Sequence, residues 1–162
     1  MGTVARETVG PEVDKIIELL NQGIAAEVND AYRYLLLSYV AEGIHSEPLA
    51  QRFADTAQHE WGHVATLMER VTQLNGEPMP APSEAGERSY VEYKPPPKDL
   101  ADVRRILEDS LEGERAAIRY YRKLYDLTKD VDPVTAHLAR KALADETEDE
   151  DEFERLLASW GE

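Results

Sequence analysis

The sequence predicts an all-α fold, namely a four-helix bundle with a long crossover between its second and third helices. Apolar residues recur at three- and four-residue steps along four long segments, which is the pattern of amphipathic helices. Six prolines in residues 76–98 exclude a regular helix there and divide the four segments into two pairs. This connection is much longer than the roughly 2–8 residues usual between bundle helices, so it can run the length of a helix and leave the flanking helices parallel.

The first helix is predicted over about residues 11–42, because Pro11 suits a first helical turn and Gly43 marks a stop. Residues 1–10 are predicted to be an N-terminal tail. Residues 11–162 are predicted to form a single domain, as expected for a chain of 162 residues.

The other three helices follow from similar signals. The second runs from a start at Ser46 to a stop at Asn75-Gly76, and the third begins at Asp99. A turn over residues 130–133 precedes the fourth helix, which reaches about Trp160. The bundle is therefore predicted to consist of two helical hairpins.

Composition and charge exclude several classes of protein. The chain has no cysteine, which rules out disulfides, thiolate metal sites and a cysteine nucleophile, and suits a reducing compartment. Its 33 acids and 18 bases give a formal charge of −15, which fits a protein that handles cations or one from a salty cytoplasm, and offers no basic face to DNA. No apolar run approaches the roughly 18–20 residues of a membrane span, and no secretory signal is visible, so we expect a cytoplasmic protein.

Each predicted helix carries acids on its apolar stripe near mid-length. From the first helix to the fourth, these acids and one adjacent histidine are Glu27; Glu60 and His63; Glu114; and Glu146 with Asp149 or Glu150. Burying a lone carboxylate costs several kcal/mol unless it is paired, protonated or bound to a metal. Converging acids repel each other unless cations neutralise them, so the pattern predicts a dinuclear metal site. Oxygen-rich ligation with an imidazole favours iron or manganese over structural zinc.

A weak internal repeat supports this interpretation. Glu27 and Tyr34 stand seven residues apart on the first helix, as do Glu114 and Tyr121 on the third. The two tyrosines are either core aromatics or supports that steady the ligand carboxylates. The histidines that lie off the stripes, and are not expected to bind metal, are His45, His59 and His137. The alternative is an inert bundle whose inward acids arise by chance.

The acidic run over residues 145–154 holds eight Asp or Glu among ten residues. At about 100° per residue, such a run covers every direction around a helix, so a packed helix must point some of these acids inward. The alternative is that the helix frays there.

Four segments of the chain resemble the ferritin-like superfamily and are most similar to bacterioferritins and the related Dps-like ferritins. The resemblance covers about residues 12–160. It is carried by Glu27 with Asn29-Asp30-Ala31-Tyr32-Arg33-Tyr34, Glu60-Trp61-Gly62-His63, Glu114-Arg115-Ala116-Ala117-Ile118 with Tyr121, and Asp145-Glu146-Thr147-Glu148-Asp149. It implies a ferritin-like four-helix bundle.

The resemblance also implies two metal ions per subunit, held by residues of all four helices: Glu60 and Glu146 as bridges, Glu27 and His63 on one ion, and Glu114 on the other. Iron is the expected metal, with manganese as the alternative, and these five residues are the expected catalytic groups. The family has histidine where this chain has Asp149, which either ligates the second ion or leaves it loosely held. Glu150, one position on, is a substitute candidate.

Three departures from the family pattern carry further expectations. Trp61 stands where haem-binding members have methionine, so no haem is expected. The chain has no room for a fifth helix after Trp160, which favours a 12-subunit homo-oligomer over a 24-subunit one. Only Arg6 is basic among the first ten residues, which argues against DNA binding of the Dps kind.

The sequence therefore predicts an iron-storage and detoxification protein with ferroxidase activity. Fe(II) held at the carboxylates gives electrons to O2 or H2O2, and Fe(III) passes to a mineral inside a hollow oligomer. One alternative is a di-iron or di-manganese peroxidase or oxidase that stores nothing, and another is a metal-free helical assembly module. Iron content separates the three, at roughly tens or more per chain, about two, or none.

Overall fold

The computed structural model describes residues 3–42 and 46–159, and every regular element in those ranges is helical. The helices are α1 (Thr3–Val9), α2 (Val13–Val40), α3 (Ser46–Gln73), α4 (Ala85–Arg88), α5 (Val103–Thr128) and α6 (Pro133–Ser159), with 3-10 turns at Gly10–Glu12 and Pro82–Glu84. The predicted all-α bundle of four long helices with a crossover between the second and third is confirmed. The expectations for Gly43, His45 and Trp160 fall outside the described residues. None of the helices in the described ranges is long and apolar enough to cross a membrane.

Within the segment expected to be an N-terminal tail, Thr3–Val9 form the helix α1 instead. Val9 is buried in the core, and Arg6 Nη1 donates to the carbonyl oxygen of Leu74 at 3.1 Å. Gly10 has a positive φ of 74° and Pro11 follows it, so α1 and α2 do not form one continuous helix. The sequence pattern missed α1 because a single buried valine in a short segment gives no helical periodicity.

The third long helix begins at Val103 and not at Asp99 as expected. The Asp99 carboxylate accepts a hydrogen bond from the backbone N–H of Ala101 at 3.1 Å, which holds a turn. Asp102 is the N-cap instead, and its side chain accepts from the backbone N–H of Arg105 at 3.0 Å. Both aspartates suit an N-cap, and the residue pattern alone does not choose between them.

The crossover runs alongside α2 from one end of the bundle to the other. Near the start of α2, Asn21 Nδ2 donates to the carbonyl oxygen of Glu77 at 3.1 Å. Beyond the end of α2, the backbone N–H of Glu42 donates to the carbonyl oxygen of Leu100 at 3.0 Å. Because α3 ends beside the start of α2 and α5 begins beside its end, α3 and α5 run parallel, as predicted.

Two apolar clusters fill the bundle and leave a polar layer between them. The larger cluster includes Ile16, Leu20, Ile24, Leu67 and Leu124. The smaller includes Tyr34, Leu37, Phe53, Leu107 and Phe153. Along each of the four long helices, a glutamate falls between the two clusters: Glu27, Glu60, Glu114 and Glu146, each at most 3% exposed. Full burial of one large apolar side chain stabilises the folded state by about 1.5–3 kcal/mol. The many buried side chains of the two clusters therefore offset the cost of holding four carboxylates close to one another.

Candidate metal centre

Side chains from three helices converge in this polar layer. α2 supplies Glu27, α3 supplies Glu60 and His63, and α6 supplies Glu146. One potential ligand atom from each lies within 4.8 Å of the others, and the three carboxylates are buried. Residues three apart share a helix face, so Glu60 and His63 reach the same point together. Carboxylate oxygens with one imidazole nitrogen form a donor set that suits Fe(II) or Mn(II).

The Nδ1 atom of His63 lies among three carboxylates but can donate only one proton. It is 3.2 Å from Glu60 Oε2, 3.1 Å from Glu146 Oε1 and 3.9 Å from Glu27 Oε2. It shares a hydrogen bond with Glu60, whereas Glu146 Oε1 is buried and no described residue makes a hydrogen bond to it. A buried acceptor without a donor costs about 1–3 kcal/mol. A divalent cation would satisfy all three carboxylates at once, so the residues present fit a metal ion.

Two tyrosines support the acids from across the bundle. Glu114, on α5, is buried in the same polar layer. Tyr34 Oη donates to Glu114 Oε1, and Tyr121 Oη donates to Glu27 Oε1. A tyrosine of α2 thus supports an acid of α5, and a tyrosine of α5 supports an acid of α2. Each donor fixes the orientation of one carboxylate.

The buried acids change one another's ionisation. Burial, and then the charges of Glu146 and Glu27, raise the pKa of Glu60 well above its usual range. Burial and the charge of Glu146 likewise raise the pKa of Glu114. Burial opposes a charge on His63, but the buried carboxylates around the ring outweigh it and raise the pKa of the imidazole. Protons therefore offset the charge of the metal-free centre, and a bound cation would displace them.

A cavity of about 480 Å³ opens between α3 and α6 beside the carboxylates. The buried Tyr121 and the half-buried His63 line it together with Asp145, which is more exposed. His63 Nε2 lies 3.4 Å from Asp145 Oδ2, while Nδ1 of the same ring lies among the buried carboxylates. The cavity is large enough to admit an ion or a small oxidant to His63.

Asp149 lies outside the four-residue group and is held by Arg52 of α3. Arg52 Nη2 contacts Asp149 Oδ1 and also lies 3.0 Å from Glu152 Oε2. The substitute candidate, Glu150, accepts a hydrogen bond from Arg115 Nε at 2.8 Å. An arginine thus holds each of the two acids that the sequence offers in place of histidine.

α6 remains helical through the acidic run, so the alternative that it frays there is wrong. Glu146 and Asp149 are buried, and Phe153 fills the core one turn further on. Several of the acids that face outward pair with arginines near the surface, as Asp151 does with Arg155 at 2.5 Å. The packing of α6 explains how so acidic a helix stays ordered.

Sequence reasoning missed two residues of this region, Arg52 and Asp30. Arg52 precedes Glu60 by eight residues, which is about two helical turns, so both lie on one face of α3. Asp30 follows Glu27 by three residues and shares its face of α2. Burial and the charge of Glu27 raise the pKa of Asp30 to about 7. The spacing of Arg52 from Glu60 and of Asp30 from Glu27 along their helices was the signal that could have identified both residues.

Known proteins match this chain in sequence over most of its length. A sequence profile of the ferritin-like domain matches residues 17–160. The DNA protection during starvation protein of Pyrococcus furiosus is 32% identical over 156 residues, which cover 93% of this chain and 81% of that protein.

Solved structures match the whole bundle. The bacterioferritin-related protein of Bacteroides fragilis, a dodecameric thioferritin, has a TM-score of 0.92 at 24% identity, and the match covers 98% of this chain and 94% of that one. A ferritin-like, diiron-carboxylate protein of Bacillus anthracis has a TM-score of 0.79 at 26% identity, with 91% of this chain and 99% of that one covered. The first of these matches establishes the fold alone.

Proposed function

The chain belongs to the ferritin-like domain family, and on that basis we propose that it is a ferroxidase that oxidises Fe(II) and stores the product in a hollow homo-oligomer. The observation that carries the proposal is the donor group of Glu27, Glu60, His63 and Glu146, whose ligand atoms lie within 4.8 Å of one another. Iron is the substrate of this reaction, and manganese is the alternative metal.

Binding of Fe(II) exchanges protons for metal charge. The ion would take the place of the proton on His63 Nδ1 and of the proton that burial favours on Glu60, so binding releases protons to water. Anionic oxygens such as Glu27 Oε2 stabilise Fe(III) more than Fe(II), because the attraction grows with the charge on the metal. The same donors therefore bind the substrate and favour its oxidation.

Oxidation of two ions would supply the electrons that the oxidant needs. Two Fe(II) lose one electron each, and H2O2 takes both electrons and two protons to become two molecules of water. With O2 as the oxidant, the same two electrons and two protons give H2O2. We assign the second ion to the Glu114 side of the centre, with Glu60 and Glu146 shared between the two positions. Tyr34 and Tyr121 keep the outer carboxylates oriented while ions come and go.

A hollow oligomer requires subunit faces that bury apolar surface. On α2, Tyr32 is 56% exposed, Leu35 is 41% exposed and Tyr39 is 83% exposed. These side chains follow one another at three- and four-residue steps, so they form one apolar stripe on the outer face of the helix. We propose that a second copy of the chain covers this stripe. We propose an assembly of 12 subunits, the number in the dodecameric Bacteroides fragilis protein that shares this fold.

The proposal does not include binding to DNA, although the Pyrococcus furiosus relative is named for DNA protection. A formal charge of −15 repels the phosphate backbone, and counterion release requires lysines and arginines on the binding face. A gel-shift experiment at low salt with the assembled protein and duplex DNA tests this, and we expect no shift.

Aerobic titration of the apoprotein with Fe(II), followed by gel filtration and iron assay of the protein peak, tests the storage function. We expect roughly tens of iron atoms or more per chain and rapid oxidation in the wild type. Glu60→Ala should oxidise iron slowly, whereas Glu112→Ala, which removes an exposed acid bound to Lys94, should match the wild type. Saturation near two irons per chain would indicate a non-storing oxidase or peroxidase, and no co-eluting iron would indicate a metal-free assembly protein.

A further inference from the structure

Arg52 is a fixed cation at the edge of the carboxylate centre. Its guanidinium contacts Asp149 and lies 3.0 Å from Glu152 Oε2. Its Cζ atom also lies 5.7 Å from the centroid of the Phe153 ring. The side chains of Arg52 and Asp149 are 17% and 9% exposed, so water screens this ion pair only weakly. Two acids and an aromatic ring therefore hold the positive charge in place.

Asp149 follows Glu146 by three residues on α6, and both acids are buried. Tyr34 donates a hydrogen bond to Glu114 and stacks on the ring of Phe153. Arg52, which holds Asp149, lies over the same Phe153 ring, so Asp149 lies on the Glu114 side of the centre. Glu114 is not in the four-residue donor group found among the described residues. The centre thus has one side where four donors converge and another where Glu114 and Asp149 face a protein cation.

We propose that Arg52 takes the place of a second metal cation in the resting centre. By holding Asp149, it leaves one divalent cation bound tightly by Glu27, Glu60, His63 and Glu146. A second ion binds beside Glu114 only by displacing Arg52 from Asp149, so it exchanges readily. This inference rests on the proposed function, because it concerns how the same centre is filled.

Electrostatics and available space both support this competition. A divalent cation that approaches Asp149 meets the repulsion of the guanidinium, and it must also break a poorly screened ion pair. Arg52 and Asp149 both line the cavity of about 480 Å³ between α3 and α6, so the arginine has room to move aside. Arg52 Nε is buried and no described residue makes a hydrogen bond to it, so displacement would break no bond at that atom.

Calorimetric titration of the apoprotein with Co(II), with the visible absorption of bound Co(II) as a second readout, tests the proposal without iron oxidation. The wild type should bind one equivalent tightly and a second about tenfold or more weakly. Arg52→Gln should strengthen the second event by roughly tenfold and leave the first nearly unchanged. Adding Asp149→Asn to Arg52→Gln should remove this gain, because the released carboxylate is then absent.

Arg155→Gln is the matched control, because Arg155 also holds an acid of α6, Asp151, at 2.5 Å and lies at the surface. It should bind Co(II) like the wild type. Equal gains in Arg155→Gln and Arg52→Gln would overturn the proposal, since they would reflect overall charge alone. Two equivalent tight ions in the wild type would also overturn it, as would an unchanged second event in Arg52→Gln.

Failure of the proposed function gives a different result. If the wild type binds no Co(II) tightly, or if Glu60→Ala leaves the first event intact, the centre itself is misassigned. If Arg52→Gln does not fold, as judged by circular dichroism and gel filtration, Arg52→Met provides the same charge removal and keeps an apolar contact with Phe153. The expected strengthening of the second event is the same for both variants.

Discussion

The hydroxyl of Tyr121 donates a hydrogen bond to the carboxylate of Glu27, which joins α5 to α2 at the level of the metal centre. Tyr34 makes the equivalent bond in the other direction, to Glu114. The two bonds link the hairpin of α2 and α3 to that of α5 and α6. They also keep two buried acids from losing all their hydrogen-bond donors when no cation is present.

Replacing Tyr121 with phenylalanine removes one of these donors. Because the carboxylate of Glu27 is buried, we expect Tyr121→Phe to lower the free energy of unfolding of the apoprotein by about 1–3 kcal/mol. Urea denaturation followed by circular dichroism measures the change. Tyr125→Phe is the control, since Tyr125 is half-buried on the same helix and its hydroxyl makes no hydrogen bond to any described residue, so this change should leave the stability unchanged. Equal stabilities for Tyr121→Phe and the wild type would contradict the structural role of this bond.

The stability of the apoprotein should fall as pH rises above the ordinary range of a carboxylate. Burial and the charges of Glu146 and Glu27 raise the pKa of Glu60 in the folded state, so the folded protein holds a proton that the unfolded chain releases. The stabilisation by this proton is fully present below the pKa of a glutamate in the unfolded chain, about 4.3. It is lost as pH rises toward the pKa of Glu60 in the folded protein, by up to about 1.4 kcal/mol per pH unit.

Urea denaturation of the apoprotein from pH 5 to pH 7.5 measures this loss. Glu60→Gln should show a shallower decline than the wild type, because glutamine does not titrate. Glu148→Gln, an exposed position on α6, should follow the wild type. A decline in Glu60→Gln as steep as that of the wild type would show that Glu60 is not the group responsible.

Bound cations should stabilise the protein through His63, whose ring lies among the buried carboxylates, and not through the exposed His59 on the same helix. Mn(II) at about one hundred times its dissociation constant should add about 2.7 kcal/mol to the free energy of unfolding of the wild type. His63→Ala should lose most of this gain, whereas His59→Ala, exposed one helical turn earlier, should retain it. Differential scanning calorimetry with and without Mn(II) makes the comparison, and equal gains in both variants would remove His63 from the metal site.

A second buried ion pair anchors α3 to the turn before α6. Arg70 Nη2 lies 2.7 Å from Asp132 Oδ1, and Arg70 Nε donates to Thr135 Oγ1 at 2.8 Å. Because Asp132 would be left buried and unpaired, Arg70→Met should cost about 3–5 kcal/mol of stability. Arg122→Gln, which breaks an exposed pair with Asp126, should leave the midpoint of urea denaturation unchanged. A small effect of Arg70→Met would mean that Asp132 finds another partner.

Helical periodicity was sufficient to predict the bundle and the direction of its acids. Glu27 and Glu114 interrupt apolar stripes in the sequence, and both are buried in the structure. The prediction succeeded because four long helices can bury their stripes only against one another. The position of a residue on its helix then determines whether it faces the core.

The partners of Asp149 could not be predicted in the same way. The position of Asp149 in the helical repeat of α6 placed it toward the core. The contact between Asp149 and Arg52, however, depends on how the long arginine side chain extends from α3 across to α6. Such contacts involve several rotatable bonds, and the local pattern does not fix them. The helix over Thr3–Val9 was missed for a related reason, because its burial rests on the one residue Val9.

The division of the bundle into two hairpins determines when the metal centre can exist during folding. Most helix–helix contact lies within the α2–α3 pair and within the α5–α6 pair, and such sequence-local contacts form early. The donor group is closed only when Glu146 of the second hairpin joins Glu27, Glu60 and His63 of the first. During synthesis, the first hairpin therefore emerges with an incomplete set of ligands. A divalent cation would therefore find the complete donor group only after both hairpins have docked, and not on a half-made chain.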